Sequence, residues 1–327
     1  MIPRESQVES YRDKNLNTWR DGGAYQPVDS TNQFIDVKVN EYEFGEMIFA
    51  EIQHLLNQVT EQRAHIVSAL QGSNPSPSWL FVSAYYAALY AALAWTRAMN
   101  VAVLYLDKPA IQKFSFGSQI KPAAGAFTAT LLHPNNNSEF HFRIAKSKKS
   151  HFHEAAWLTL SSTASSLLLK IQNETASRQA SSDELDSIRL LKLFEGFSFE
   201  EPHYWPSLLR NAINYRPGYS YRSISKHNFL SFDFVKKPLG ADKIESTLTE
   251  AERIKIQLNG VRNPTEMPNE AALLLAIQTS LIELCITKGL EILCEQNGFR
   301  NTPLKERKQF AKASISMVNT VSRGLAF

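Results

Sequence analysis

The sequence predicts a mostly α-helical protein: a helical domain around a central apolar helix, with a few short β-strands or extended arms in the middle. Three observations predict it. Apolar residues recur at helical spacing over residues 42–70 (Phe44, Ile48, Ile52, Leu55, Leu56, Val59, Ile66, Leu70). The next segment, residues 79–101, is apolar nearly all round, which suits a helix enclosed by others. In the middle, "KFSFGSQIKPAAGAF", "SEFHFRIAKS" and "FLSFDFVKKP" alternate with period two and are rich in aromatic residues, the pattern of short strands.

Taken in order, residues 1–40 read as irregular, with "RDGGAYQPVDSTNQ" carrying loop chemistry. The 42–70 helix ends at "QGSNPSPS", where Ser76 or Ser78 can cap the next helix. "HPNNNSEF" is a turn, and "HEAAWLTLSSTASSLLLKIQNE" returns to helix. "SSDELDSIRLLKLFEG" starts a helix at Ser182, with Asp183 and Glu184 in the first turn favoured by the helix dipole. "FEEPHYWPSLLRNAIN" gives a short helix after its proline, and the last long helix covers residues 269–296, with Gly298 as its stop. The tail is basic and semi-amphipathic. No internal repeat or low-complexity linker divides the chain. The expected organisation is an N-terminal arm and first helix over 1–75, then a main helical domain over 76–327 with a mixed middle insertion at about 107–150 and 228–240.

The composition is that of a globular chain able to bury a core, with 327 residues, 43% hydrophobic and 20% charged. A net charge of +3 permits an anionic partner without demanding one. Cys285 and Cys294 share the last helix, where nine residues separate them by about 13 Å, too far for a disulfide within it. Two thiols in a reducing, cytoplasmic setting are therefore expected. The N-terminus lacks the apolar core of a signal peptide, and the 78–106 apolar run, interrupted by serine, tyrosine and Arg97, reads as a buried helix rather than a membrane span.

No phosphate-cradling glycine loop, zinc-binding cysteine pattern or nucleophile elbow is present, and no cofactor is implied. Three stretches carry candidate chemistry. The helix "SAYYAALYAALAW" is first a core helix with close-packing alanines. The second stretch, "SLLRNAINYRPGYSYRSISKH", places Arg210, Arg216, Arg222 and Lys226 within seventeen residues with no acidic residue among them. Tyr215, Tyr219 and Tyr221 interleave, an arrangement able to stack bases while the arginines meet phosphates. Pro217 and Gly218 let the chain turn back on itself. The same stretch also reads as a solvated basic loop. The third, "KSKKSHFHEAAW", offers Lys146, Lys148 and Lys149 as a surface anion contact. His151, His153 and Glu154 are too few for a metal site without ligands from elsewhere, so no metal is expected.

The Tyr-Tyr-Ala-Ala pattern at Tyr85–Ala88, with aromatic and small residues after it, resembles the second helix of HEPN-type helical domains and the corresponding helix of YaaC-like bacterial proteins, where "FGSQIKPAAGAF" is a further similarity. HEPN ribonucleases carry an arginine, often followed by Asn, and a histidine four to six residues later. Arginine offsets phosphate charge and histidine moves a proton at the ribose 2′-hydroxyl. Arg210-Asn211 matches the first half, but Tyr215 stands where the histidine belongs. Arg222 and His227 have the spacing without the Asn. The resemblance implies a stress- or phage-defence protein that cleaves or binds RNA, with Arg210, Asn211, Arg222 and His227 as catalytic candidates and a homo-oligomer as its assembly. The rival expectation is a non-catalytic interaction subunit with a protein partner.

Overall fold

The computed structural model describes residues 15–70, 76–132, 140–196, 204–216 and 244–296. Its elements are α1 (Leu16–Gly22), β1 (Tyr25–Ser30), β2 (Phe34–Val39), α2 (Glu41–Leu70), α3 (Pro77–Ala98), β3 (Val101–Leu106), α4 (Lys108–Phe114), β4 (Gly125–Leu132), β5 (Phe140–Lys146), α5 (Phe152–Thr175), α6 (Ser182–Phe194), α7 (Trp205–Tyr215), α8 (Ile244–Leu258), a 3-10 turn (Pro264–Glu266) and α9 (Pro268–Gln296). The protein is mostly α-helical with a few strands. Packing divides the described residues into two compact units: one of residues 15–55, 93–132, 140–159 and 286–296, the other of 56–70, 76–92, 160–196, 204–216 and 244–285.

The first unit holds the strands. They form one antiparallel sheet in the order β1-β2-β5-β4-β3. Register sets one apolar face: Ile35 lies opposite Ile144, Ile144 opposite Ala129, Ala129 opposite Ala102, and Val37 opposite Phe142. On the other face Asp36 and Arg143 are paired directly across, joined by bonds of 2.9 and 2.6 Å, with the guanidinium over the Phe34 ring. Trp19 of α1, Phe44 of α2 and Phe142 close the core, with Phe44 and Phe142 centroids 4.7 Å apart. Two short helices are pinned locally. Asn15 and Thr18 form a capping box on α1, which ends at Gly23 with φ 69°, and Asp107 caps α4 by accepting from the Ala110 amide.

Arg97, near the end of α3, is buried in this unit. Its Nε lies 3.6 Å from Glu51 of α2, and its Nη2 donates to the Val103 carbonyl. Burial pushes the guanidinium pKa down, and Glu51 opposes the shift.

The second unit is helical. Leu80 and Ala84 of α3 pack with Ile66 and Ala69 of α2 and with Leu273 and Ala276 of α9. Arg63 bridges α2 to α9 through Glu283 (2.5 Å) and Ser280 (2.9 Å). Arg189 of α6 clasps Glu252 of α8 with two bonds of 2.9 Å, and Gln278 of α9 donates to the Leu193 carbonyl of α6. The 78–98 and 268–292 segments are long and apolar enough to cross a membrane, yet 83% and 61% of their apolar windows are buried, as in core helices.

Four expectations need correction. Residues 25–30 and 34–39, read as irregular, are strands; β1 is polar at the sheet edge, so no apolar alternation marks it. The alternating 113–127 stretch is strand only at 125–127: Lys113 and Phe114 end helix α4, which Asp107 caps and whose first turn Pro109 suits, and residues 115–124 are turn and irregular. Residues 101–106 extend the apolar run but are a strand. Asn100 ends the helix with φ 59°, a conformation asparagine tolerates, and its carbonyl accepts from Leu131. The α6 cap is Ser181 rather than Ser182, with Glu184 completing the capping box. The "FLSFDFVKKP" stretch, Gly298, and most of the "HPNNNSEF" turn lie outside the described residues, as does the 228–240 part of the expected insertion.

Candidate functional site

Helix α7 places the site. Its Trp205, Pro206, Ser207, Leu209, Ala212 and Ile213 are buried, while Asn211, Asn214 and Tyr215 are exposed. Arg210 stands at the border of these faces and is half-buried. It belongs to the second unit, as do α3's tyrosines.

Two polar contacts tie α7 to α3. The Tyr85 hydroxyl lies 3.1 Å from Ser207 Oγ in a buried pair, and Arg210 Nη2 donates to the Tyr86 hydroxyl at 3.1 Å. Arg210 Nη1 donates to Asn211 Oδ1 at 3.0 Å. The guanidinium carbon sits 5.9 Å from the Tyr85 ring centre, 6.0 Å from Tyr86 and 5.5 Å from Tyr215. Arg210 Nε is buried and has no hydrogen-bond partner. Among the described residues no carboxylate forms an ion pair with Arg210. Burial disfavours its charge, but the Tyr86 hydroxyl and the surrounding tyrosines outweigh that, so its pKa rises above the ordinary value.

The arrangement is a cation held by aromatic rings and hydroxyls rather than neutralised by an acid. Chemically it can bind an anion and stack a flat ring on exposed Tyr215.

Of the candidates, Arg210, Asn211 and Tyr215 come together, and Arg216 is exposed at the end of α7. Tyr219, Tyr221, Arg222 and His227 lie outside the described residues, as do Pro217 and Gly218. Lys146, at the end of β5, and Lys148 are exposed, and Lys149 is half-buried; all three belong to the first unit. His151 is exposed just before α5, and the His153 ring packs edge-on against Phe152. Among the described residues no cluster of three or more metal-ligating side chains forms.

Tyr85 and Tyr86 escaped the sequence reading as partners of Arg210, and Ser207 as the partner of Tyr85. Adjacent tyrosines in an alanine-rich helix were the available signal, but the hydrogen-bond partners of Tyr85 and Tyr86 are 122 and 124 residues away.

No family model, curated protein or solved structure matches this chain.

Proposed function

We propose that this chain is an RNA-binding helical protein of the HEPN or YaaC kind, with Arg210 as a phosphate anchor, acting in the bacterial cytoplasm in stress or phage defence. One observation carries the binding part. Arg210 is a half-buried guanidinium with no carboxylate ion pair among the described residues, oriented by Tyr86 and flanked by Tyr215. Such a cation gains most from an anionic ligand, because burial weakens competition from water. The biological setting and an assembly with a second copy or a protein partner rest on the resemblance of the Tyr85–Ala88 helix and the Arg210-Asn211 pair.

The binding-only version, an interaction subunit without cleavage, is favoured by Arg210's partners. They are tyrosines and Asn211, with no histidine among its hydrogen bonds in the described residues. Cleavage would need Arg222 and His227.

Titrating a labelled RNA against the full chain at several salt concentrations tests the reading. Removing one phosphate contact in Arg210→Ala flattens the log–log salt slope by about 0.7. An unchanged slope and affinity would refute the anchor. RNA cleavage by the parent, abolished in His227→Ala, would replace the binding-only version with the catalytic one.

A further inference from the structure

The loop joining α4 to β4 in the first unit, residues 115–124, is inside out. Its hydroxyls turn inward onto backbone. Ser115 Oγ donates to the Ile111 carbonyl at 2.6 Å, and Ser118 Oγ to the Ile120 carbonyl at 2.9 Å. Ser30 Oγ of β1 donates to that same Ile120 carbonyl at 2.9 Å. The Ser118 amide closes a turn onto the Ser115 carbonyl at 3.0 Å, and Gly117, with φ 84°, supplies the left-handed residue of that turn. Its apolar side chains turn outward. Phe116 is 82% exposed, more than any other large apolar side chain among the described residues, and Ile120 is 60% exposed. The backbone is pinned, so the fold itself presents these two side chains to water, where they contribute nothing to folding.

Lysines share this end of the sheet. The Lys146 amide donates to the Gln33 carbonyl in the turn after β1, and the Ser147 amide to the Ala126 carbonyl of β4, the strand that the loop enters. Lys121 follows Ile120, and Lys108 opens α4 just beyond β3. Of the cations in residues 108–153, Lys113 is paired with Asp21 and Arg143 with Asp36. Lys108, Lys121, Lys146, Lys148 and Lys149 remain, against Asp29, Asp107 and Glu154. Asp29 and Asp107 each accept a backbone amide, of Ser30 and Ala110. Lys121, Lys146 and Lys148 are exposed and form no ion pair among the described residues. We propose that this end of the sheet docks on an anionic lipid surface, with Phe116 and Ile120 inserted at the headgroup boundary and Lys121, Lys146 and Lys148 on lipid phosphates. The site is separate from Arg210, which belongs to the other unit.

Chemistry and size select lipid as the occupant. Phe116 is the only ring in the loop, and Ile120 cannot stack on a base, so a nucleic-acid strand would leave the apolar pair unused. An aliphatic side chain gains only by leaving water, which insertion among acyl chains provides. Two projecting side chains also fall far short of the roughly 800 Å² a side that a stable protein interface buries, whereas a lipid surface needs no matching shape. The cations are lysines, compact hydrated charges that suit a mobile array of headgroups better than one fixed bidentate partner.

The experiment is co-sedimentation of the full chain with vesicles of phosphatidylcholine and phosphatidylglycerol in equal parts, and with phosphatidylcholine alone. Phe116→Ser, Ile120→Ser, Lys121→Gln and Lys148→Gln are compared with the parent after each is shown to melt like it. The parent should pellet with the mixed vesicles, much less with the neutral ones, and less as salt rises. Phe116→Ser and Ile120→Ser should each weaken binding by about 10-fold or more. Each lysine change should weaken it by about fivefold. A parent that stays in solution with the mixed vesicles overturns the proposal. So does equal binding to neutral vesicles, or parent-like binding by Phe116→Ser and Ile120→Ser, which would mean adsorption by charge alone. If those two variants instead change the sedimentation of the lipid-free chain, a second copy covers the loop; if they instead weaken binding of a labelled oligo-uridine, the loop belongs to nucleic acid. Either result also refutes lipid docking, and none of these outcomes depends on Arg210.

Discussion

Removing the Glu51 carboxylate should destabilise the first unit heavily. Arg97 is 6% and Glu51 18% accessible at the side chain, and the charged atoms are 3.6 Å apart. At that separation and an effective dielectric constant of 20, the attraction is about 4.6 kcal/mol, which sets the upper scale. Glu51→Ala leaves Arg97 with the Val103 carbonyl and no carboxylate, while its Nη1 already lacks a partner. The variant also loses the acceptor of the Leu16 amide at the start of α1. Breaking a buried pair costs about 3–5 kcal/mol, and the partial access of Glu51 places the expected loss near the lower end, about 3 kcal/mol. Guanidinium unfolding followed by tryptophan fluorescence measures it, because buried Trp19 and Trp95 lie in this unit. Glu51→Ala combined with Arg97→Met should recover most of the loss, since no unpaired charge then remains in the core. A Glu51→Ala variant within 1 kcal/mol of the parent would show that water or another group compensates Arg97 and would refute the reasoning.

Leu89, 2% exposed on α3, tolerates no charge: Leu89→Asp buries an unpaired carboxylate, and circular dichroism should show loss of helical structure. A parent-like spectrum and melting temperature would remove α3 from the core. The Glu184 carboxyl, bonded first by Arg178 and then by the Ser181 amide, is held at about 2. Because its folded pKa is depressed, its contribution is complete above the ordinary glutamate range and is lost as pH falls toward about 2. In Arg178→Gln, the carbon-13 titration of Glu184 should move up toward the ordinary range; an unmoved midpoint would assign the shift to the helix cap alone.

Some of this architecture was legible because the physics is local. The 3.6-residue period of Phe44, Ile48, Ile52, Leu55 and Val59 specified α2, and the all-round apolarity of α3 specified its enclosure. The middle strand β5 showed its alternation, whereas the alternating 113–127 stretch reaches β4 only at residues 125–127. The edge strand β1 showed none, because its exposed polar residues look like loop. A six-residue apolar strand following an apolar helix also looks like more helix, as β3 did. Helix α8 was missed because only one residue per turn of it, Leu248, Ala251, Ile254 and Leu258, is fully buried.

At the site, the sequence by itself determined that a strip of arginines and tyrosines without acids surrounds Arg210, since charge density is a property of the chain. It also determined the helix that holds Arg210, through Pro206 and the apolar face behind it. Only the tertiary structure decided which tyrosines meet that arginine. Tyr85 and Tyr86 are neighbours with the same chemistry, yet helical rotation sends Tyr85 inward to Ser207 and leaves Tyr86 half-open to receive Arg210.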